Sequence, residues 1–196
     1  MGILPKVVAV TAITVAALAV AVTVPPRTST PAQANACGVE RWHVKTGIDP
    51  DSKLVSRVAK AATVASLVAL HRPAAGSDPN SRSRPVEVTR YRLHGIITAY
   101  KTEGDSDVHL VLSDKGKTLI AEIPNPGCVG KTSPFATQIA AVQKTWTSKY
   151  PPSSTFATIH QPVTLVGVGF FDALHGQRGV APNGIELHPV TSLVFG

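Results

Sequence analysis

The amino-acid sequence predicts a mainly β domain with one or two helices, its main elements running β-β-β-α-β-β. Three observations carry that prediction. Between Val108 and Ile123 two alternating apolar runs (Val108, Leu110, Leu112, then Leu119, Ala121, Ile123) flank a polar turn at Ser113 to Lys117, the pattern of a hairpin with one buried face. Phe135, Ile139, Val142 and Trp146 then recur at spacings of 4, 3 and 4, a single apolar stripe along one helix. The stretch PVTLVGVGFFDALHGQRGVAPNGIELHPV, residues 162–190, reads as two strands joined by a glycine-rich loop, with Asn183-Gly184 as its turn signal.

The start of the chain is of a different character. Lys6 precedes an uncharged run of 18 residues from Val7 to Val24, and a Pro/Thr/Ser/Gln segment leads to Ala34-Asn35-Ala36. A basic start, an apolar core and an Ala-x-Ala site make a secretory leader. The run is also at the lower edge of what spans a bilayer, so a retained anchor is the rival, and membrane contact would come only through it. Residues 1–36 are therefore expected to be a signal peptide or N-terminal anchor. Residues 37–85 are expected to form an N-terminal extension with a short helix and a mobile loop, and 86–196 the barrel domain. Cys37 and Cys128 are the only cysteines and both lie beyond the leader. An extracytoplasmic chain with two cysteines most simply pairs them. The net charge is +7, enough to favour polyanions without demonstrating one as a partner.

Taking the rest in order, ERWHVKT over 40–46 is expected as a short extended segment, with Trp42 and Val44 inward. A turn-rich acidic stretch follows to Ser52. Leu54 to Leu70 has helical character, Thr63 capping a piece in which Val64, Leu67 and Val68 share a face. The Pro/Ser/Gly/Arg-rich stretch from Pro73 to Pro85 reads as a surface loop, and Arg82, Arg84, Arg90 and Arg92 as a solvated loop and strand edge. VEVTRYRLHGIITAY, from Val86, is the first long strand, with a bulge near Thr89-Arg90 and a bend at Gly95. In the hairpin, matching the apolar faces sets Leu110 opposite Ala121 and Leu112 opposite Leu119. His109 then faces Glu122 on the other side. Ser133 is the expected N-cap of the helix, with Pro134 at its first position, and Pro151-Pro152 ends it. Phe156 to His160 is a short extended piece. The strand after it is apolar on both faces, and Gly167 and Gly169 share one of them, a sign of close backbone approach. In the last strand Ile185 and Leu187 alternate with Glu186 and His188.

A long bent first strand, a hairpin, a helix after strand three and a closing pair match an OB-fold-like five-stranded barrel. A split β-sandwich with one helix is the competing arrangement. The segments ERWHVKTG, SDVHLVLSD, IAEIPNPGC and GVGFFDALHGQRGVAPNGIELHPV resemble a family of small exported bacterial proteins that has no established activity. The resemblance implies export and membership, and it transfers no catalytic residue.

Chemistry-bearing side chains concentrate in one polar constellation: Asp107, His109 and Glu122 of the hairpin, with Asp172, His175, Glu186 and His188 of the last pair and its loop. Carboxylates and imidazoles hold divalent metals that activate water, or act as general acid and base. The plainer alternative is hydrogen bonding at strand ends, since no H-E-x-x-H or comparable signature is present. The loop from Leu174 to Gly184 offers backbone N–H groups to an anion, with Arg178 adding charge. Gly130-Lys131-Thr132 does not complete a P-loop, because the earlier glycine position is Asn125. The expected function is a non-enzymatic binding module of the cell envelope or extracellular space. Its ligand site would be His109, Glu122, Asp172, His175, Arg178, Glu186 and His188. No cofactor is expected, and the partner would be an anionic or carbohydrate envelope ligand or a protein. The alternative is a metal-assisted hydrolase acting on phosphodiesters, with a divalent metal ion as cofactor.

Overall fold

A computed structural model describes residues 1–2, 37–38, 40–74 and 78–196. The expected leader and its Ala-x-Ala site lie, apart from Met1 and Gly2, outside the described residues. No helix among the described residues is long and apolar enough to cross a membrane.

The hairpin is the simplest part to derive. Strand β3 (Val108–Asp114) and β4 (Lys117–Ile123) pair antiparallel with Leu110 on Ala121, Leu112 on Leu119 and His109 on Glu122, the expected register. Lys115 and Gly116 both have positive φ at the turn, which matches the twist of the strands they join. The long strands are β2 (Arg90–Thr102), β5 (Ala157–Phe171) and β6 (Ile185–Phe195). A two-residue strand β1 (Lys60–Ala61) adds parallel to β2. The result is one mixed six-stranded sheet in the order β1-β2-β3-β4-β6-β5, with β2 also pairing β5, so five of the strands form a ring. The sequence led to five strands; β1 is too short to leave a periodic signal.

Packing follows from the two-sided burial of β5. One side faces the main core of Leu93, Ile97, Leu110, Leu112, Leu119, Leu165 and Leu187, with Val142 and Trp146 of helix α3 (Ala136–Thr147) inserted into it. On the other side Val168 packs with Val55, Phe135 and Ile139. The stripe read from sequence is thus buried along its whole length. A Cβ on Gly167 would lie 2.8 Å from the Leu187 Cβ, so glycine there permits β5 and β6 to approach.

Several expectations needed correction. Residues 42–46 form a short helix, α1 (Trp42–Thr46), not an extended segment. The Thr46 hydroxyl donates to the Trp42 carbonyl, and Gly47 ends the helix at φ 72°. Five residues are too few for a period of 2 to be told from one of 3.6. Val86–Val88 is a 3₁₀ turn, so β2 starts at Arg90, and its irregularity falls between Ile97 and Ala99. Helix α3 starts at Ala136, two residues later than expected; Ser133 Oγ accepts from the Phe135 N–H and donates to the Thr46 carbonyl. The extended piece at 156–160 is the start of β5. Arg82 is not solvated: it is buried and bidentate on Asp49, at 2.9 and 2.6 Å. Helix α2 (Val64–Val68) carries the expected cap, Thr63 accepting from the Ser66 N–H at 3.1 Å.

The disulfide joins Cys37 to Cys128, with Cα atoms 5.5 Å apart across a sequence separation of 91. It ties the chain ahead of α1 to the loop ahead of α3.

Candidate functional site

Sheet geometry assembles the polar constellation. Asp107, just ahead of β3, and His109 within it are two positions apart, and the hairpin register sets Glu122 directly opposite His109. Strand β6 runs parallel to β4, Ile120 beside Glu186 and Ala121 beside Leu187. One step further along both strands stand Glu122 and His188. The same sides of β3, β4 and β6 therefore carry Asp107, His109, Glu122, Glu186 and His188, while their other sides feed the main core. Helix α1 packs near β6 and sets Lys45 over the Phe170 ring at 5.5 Å.

At the centre is His188, which is fully buried. Its Nδ1 lies 3.0 Å from Glu122 Oε2 and its Nε2 lies 3.9 Å from Asp107 Oδ2. The first lacks the alignment of a hydrogen bond and the second is too long for one, so both ring nitrogens are without a hydrogen-bond partner. Ligand atoms of Asp107, Glu122 and His188 all lie within 4.8 Å of one another. Glu122 Oε1 is 3.4 Å from His109 Nδ1, and the other nitrogen of His109 donates to the Arg178 carbonyl at 2.9 Å. Asp107 Oδ1 accepts from the Asn125 N–H at 2.7 Å. Glu186 is buried, with Oε2 unpaired.

Electrostatics record how incompletely the cluster is compensated. Burial pushes the Asp107 carboxyl up to about 8; the Asn125 N–H opposes this, and Asp105 and Glu122 add to it. Burial, then the charges of Glu122 and Asp172, hold Glu186 well above the carboxylate range. For Glu122 burial also favours the acid, but His109, His188 and Lys45 outweigh it and hold it below its ordinary value. Burial lowers His188 despite Glu122 beside it. Lys45 is lowered by burial, and Asp172, Glu122, Glu186 and Glu40 together leave it above its ordinary value.

The remaining expected residues sit at the edge of this cluster. Asp172 is 3.9 Å from Lys45 Nζ and accepts from Gln177 Nε2 at 3.2 Å. Exposed His175 is 3.8 Å from Asp172, and Glu40, Asp172 and His175 form a second, mostly exposed group. Arg178 turns its carbonyl to His109 and its guanidinium outward, 5.1 Å over the ring of half-buried Phe156. Lys101 Nζ stands 5.4 Å from the same ring and pairs with Glu103 at 2.8 Å, and His109 meets Phe156 edge-on at 5.2 Å. Buried Asp107 and His188 are thus linked through Glu122 to His109, which meets Phe156 and the Arg178 carbonyl at the rim. Sequence reasoning missed Lys45, Lys101 and Phe156. Lys45 sits in a segment read as extended, and an aromatic just ahead of a strand carries no signal of its own.

No family model and no curated protein matches the chain. Among solved structures it is similar to a chain from Leishmania major Friedlin assigned as an aspartyl-tRNA synthetase, at 14% identity and a TM-score of 0.41, covering 72% of this chain and 21% of that one.

Proposed function

We propose that the chain is an exported, non-enzymatic binding module whose ring of strands is an OB-fold-like barrel, and that its ligand is an acidic carbohydrate held at the Phe156 rim. One observation carries this reading: Arg178 and Lys101 both stand over the ring of half-buried Phe156, at 5.1 and 5.4 Å. Cations held on an aromatic ring, ready for a sugar's carboxylate, are a recognisable recognition pattern. Its position fits as well. Lys101 is the last residue but one of β2, ahead of the loop before β3, and Arg178 belongs to the loop between β5 and β6; in OB-folds the corresponding loops border the ligand groove. The leader-like first 36 residues and the disulfide fit an extracytoplasmic destination.

Titration calorimetry with polygalacturonate, neutral dextran and an oligothymidylate tests the proposal. Binding of the first alone, weakened at least tenfold by Arg178→Ala and by Phe156→Ala, is the expected result. Equal binding by those variants, or binding only of the oligonucleotide, rejects it. A second reading, a metal-assisted phosphodiester hydrolase, draws on the convergence of Asp107, Glu122 and His188. Burial weighs against it, because Asp107 and His188 leave a substrate little access. Turnover of bis(p-nitrophenyl) phosphate with Mn²⁺ or Zn²⁺, abolished by His188→Ala, would put it in first place.

A further inference from the structure

The geometry points to a buried divalent-cation site in which Asp107, Glu122 and His188 are the ligands and the ion fastens β3, β4 and β6 together. It is independent of carbohydrate binding at Phe156 and requires no turnover.

Two separate observations support it. The first is the convergence of the three ligand atoms within 4.8 Å. Ligands that share an ion at bond lengths of about 2.1 Å stand roughly 3–4 Å apart. The 3.9 Å between His188 Nε2 and Asp107 Oδ2 is too long for a hydrogen bond and is the right length for an ion between them. The second is His188 itself. A fully buried imidazole normally satisfies at least one nitrogen, yet neither of its nitrogens has a hydrogen-bond partner, although carboxylate oxygens lie 3.0 and 3.9 Å away.

Lys45, the cation already beside the cluster, does not fill this role. Its ammonium contacts Asp172 at 3.9 Å, and no ion pair joins it to Asp107 or Glu122. Glu186 adds a further buried carboxylate, two residues before His188 on the same side of β6. One imidazole with two carboxylates suits a first-row transition dication, Zn²⁺ foremost, better than Ca²⁺ or Mg²⁺, which prefer six or more oxygens or retained waters. His109 acts as a positioning residue. Its Nε2 is held by the Arg178 carbonyl, and its Nδ1 stands 3.4 Å from Glu122 and 3.6 Å from Glu103, so it orients the Glu122 carboxylate.

The test uses the full chain, stripped with chelator and dialysed against metal-free buffer. Elemental analysis and calorimetry with Zn²⁺, Mn²⁺ and Ca²⁺ give stoichiometry and affinity, and thermal unfolding gives stabilisation. One equivalent of Zn²⁺ per chain and a raised Tm are expected, with Ca²⁺ inert. Asp107→Asn and His188→Gln each cut the affinity at least tenfold with an unchanged circular dichroism spectrum. His109→Gln lowers it about 10–100-fold. If His188→Gln does not fold, Asp107→Asn decides alone. Absence of binding and of any thermal shift at millimolar ion overturns the proposal. So does full-affinity binding by Asp107→Asn, which would move the ion elsewhere, as to Glu40, Asp172 and His175.

Discussion

Two buried charge clusters in this domain are built on opposite plans. Around Arg82 the polar groups are saturated. Its guanidinium donates to both oxygens of Asp49 and to the carbonyls of Glu87 and Val44. The Glu87 carboxylate accepts from both Arg41 terminal nitrogens, the Ser83 N–H and the Phe171 N–H. Around His188 there are several carboxylates, one nearby lysine and unpaired atoms on His188 and Glu186. The first cluster is closed: every buried side-chain nitrogen and oxygen in it has a hydrogen-bond partner, and it joins the segment around α1 to the start of β2. The second is open, with buried groups whose desolvation nothing in the chain fully offsets. Charge burial alone therefore does not separate a structural knot from a site. The count of satisfied atoms does.

The largest effect that would break this contrast lies in the closed cluster. Arg82→Ala strands Asp49 in the interior and is expected to cost about 3–5 kcal/mol in urea unfolding. The double replacement Arg82→Met with Asp49→Leu should recover much of it. An Arg82→Ala loss under about 1 kcal/mol would mean that the knot is not closed.

The next effect is pH dependence in the open cluster of the metal-free protein. Asp107 has a folded pKa of about 8, above the 3.8 of a free carboxyl. Its contribution is fully present below the lower value and is lost as pH rises through the higher one. Glu186 has the same sign. The depressed Glu122 acts only on the acid side, below its ordinary 4.5, and His188 acts below 6.5. Between pH 6.5 and 8 the stability should fall by about 1–2 kcal/mol, and Asp107→Asn should flatten that slope. A level profile in chelated protein would sink the account of Asp107.

The smallest effect sharpens the comparison. Glu186→Gln in metal-free protein at pH 8 is expected to be neutral or stabilising by about 1 kcal/mol, since it removes an acid that burial opposes. Glu87→Gln, the matched change in the closed cluster, should be clearly destabilising in the same assay.

Legibility in the sequence divides along a physical line. The β3–β4 register could be read because a period-2 pattern and a short turn determine it locally, and this placed His109 opposite Glu122 without any coordinates. The α3 stripe and the Thr63 cap are local in the same way. Arg82 could not be read, because its partner Asp49 is 33 positions away and a basic loop residue has the same composition buried or solvated. Helix α1 and β1 are shorter than the periods that identify them. Asp107, Glu122 and His188 were recognisable as chemistry-bearing types. They were also grouped as one polar constellation, but their approach to ligand distance could not be read, because it depends on the parallel placement of β6 against β4. Lys45 and Phe156 join their neighbourhoods only through tertiary contacts.

That parallel seam has a kinetic consequence. The hairpin can form alone, but β6 reaches β4 only after the intervening helix and strand have been threaded around the ring. Distant pairings of this kind carry most of the loop-closure entropy and form slowly. The His188 pocket therefore does not exist in a half-folded chain, and an ion captured there during refolding would time the moment at which the ring shuts.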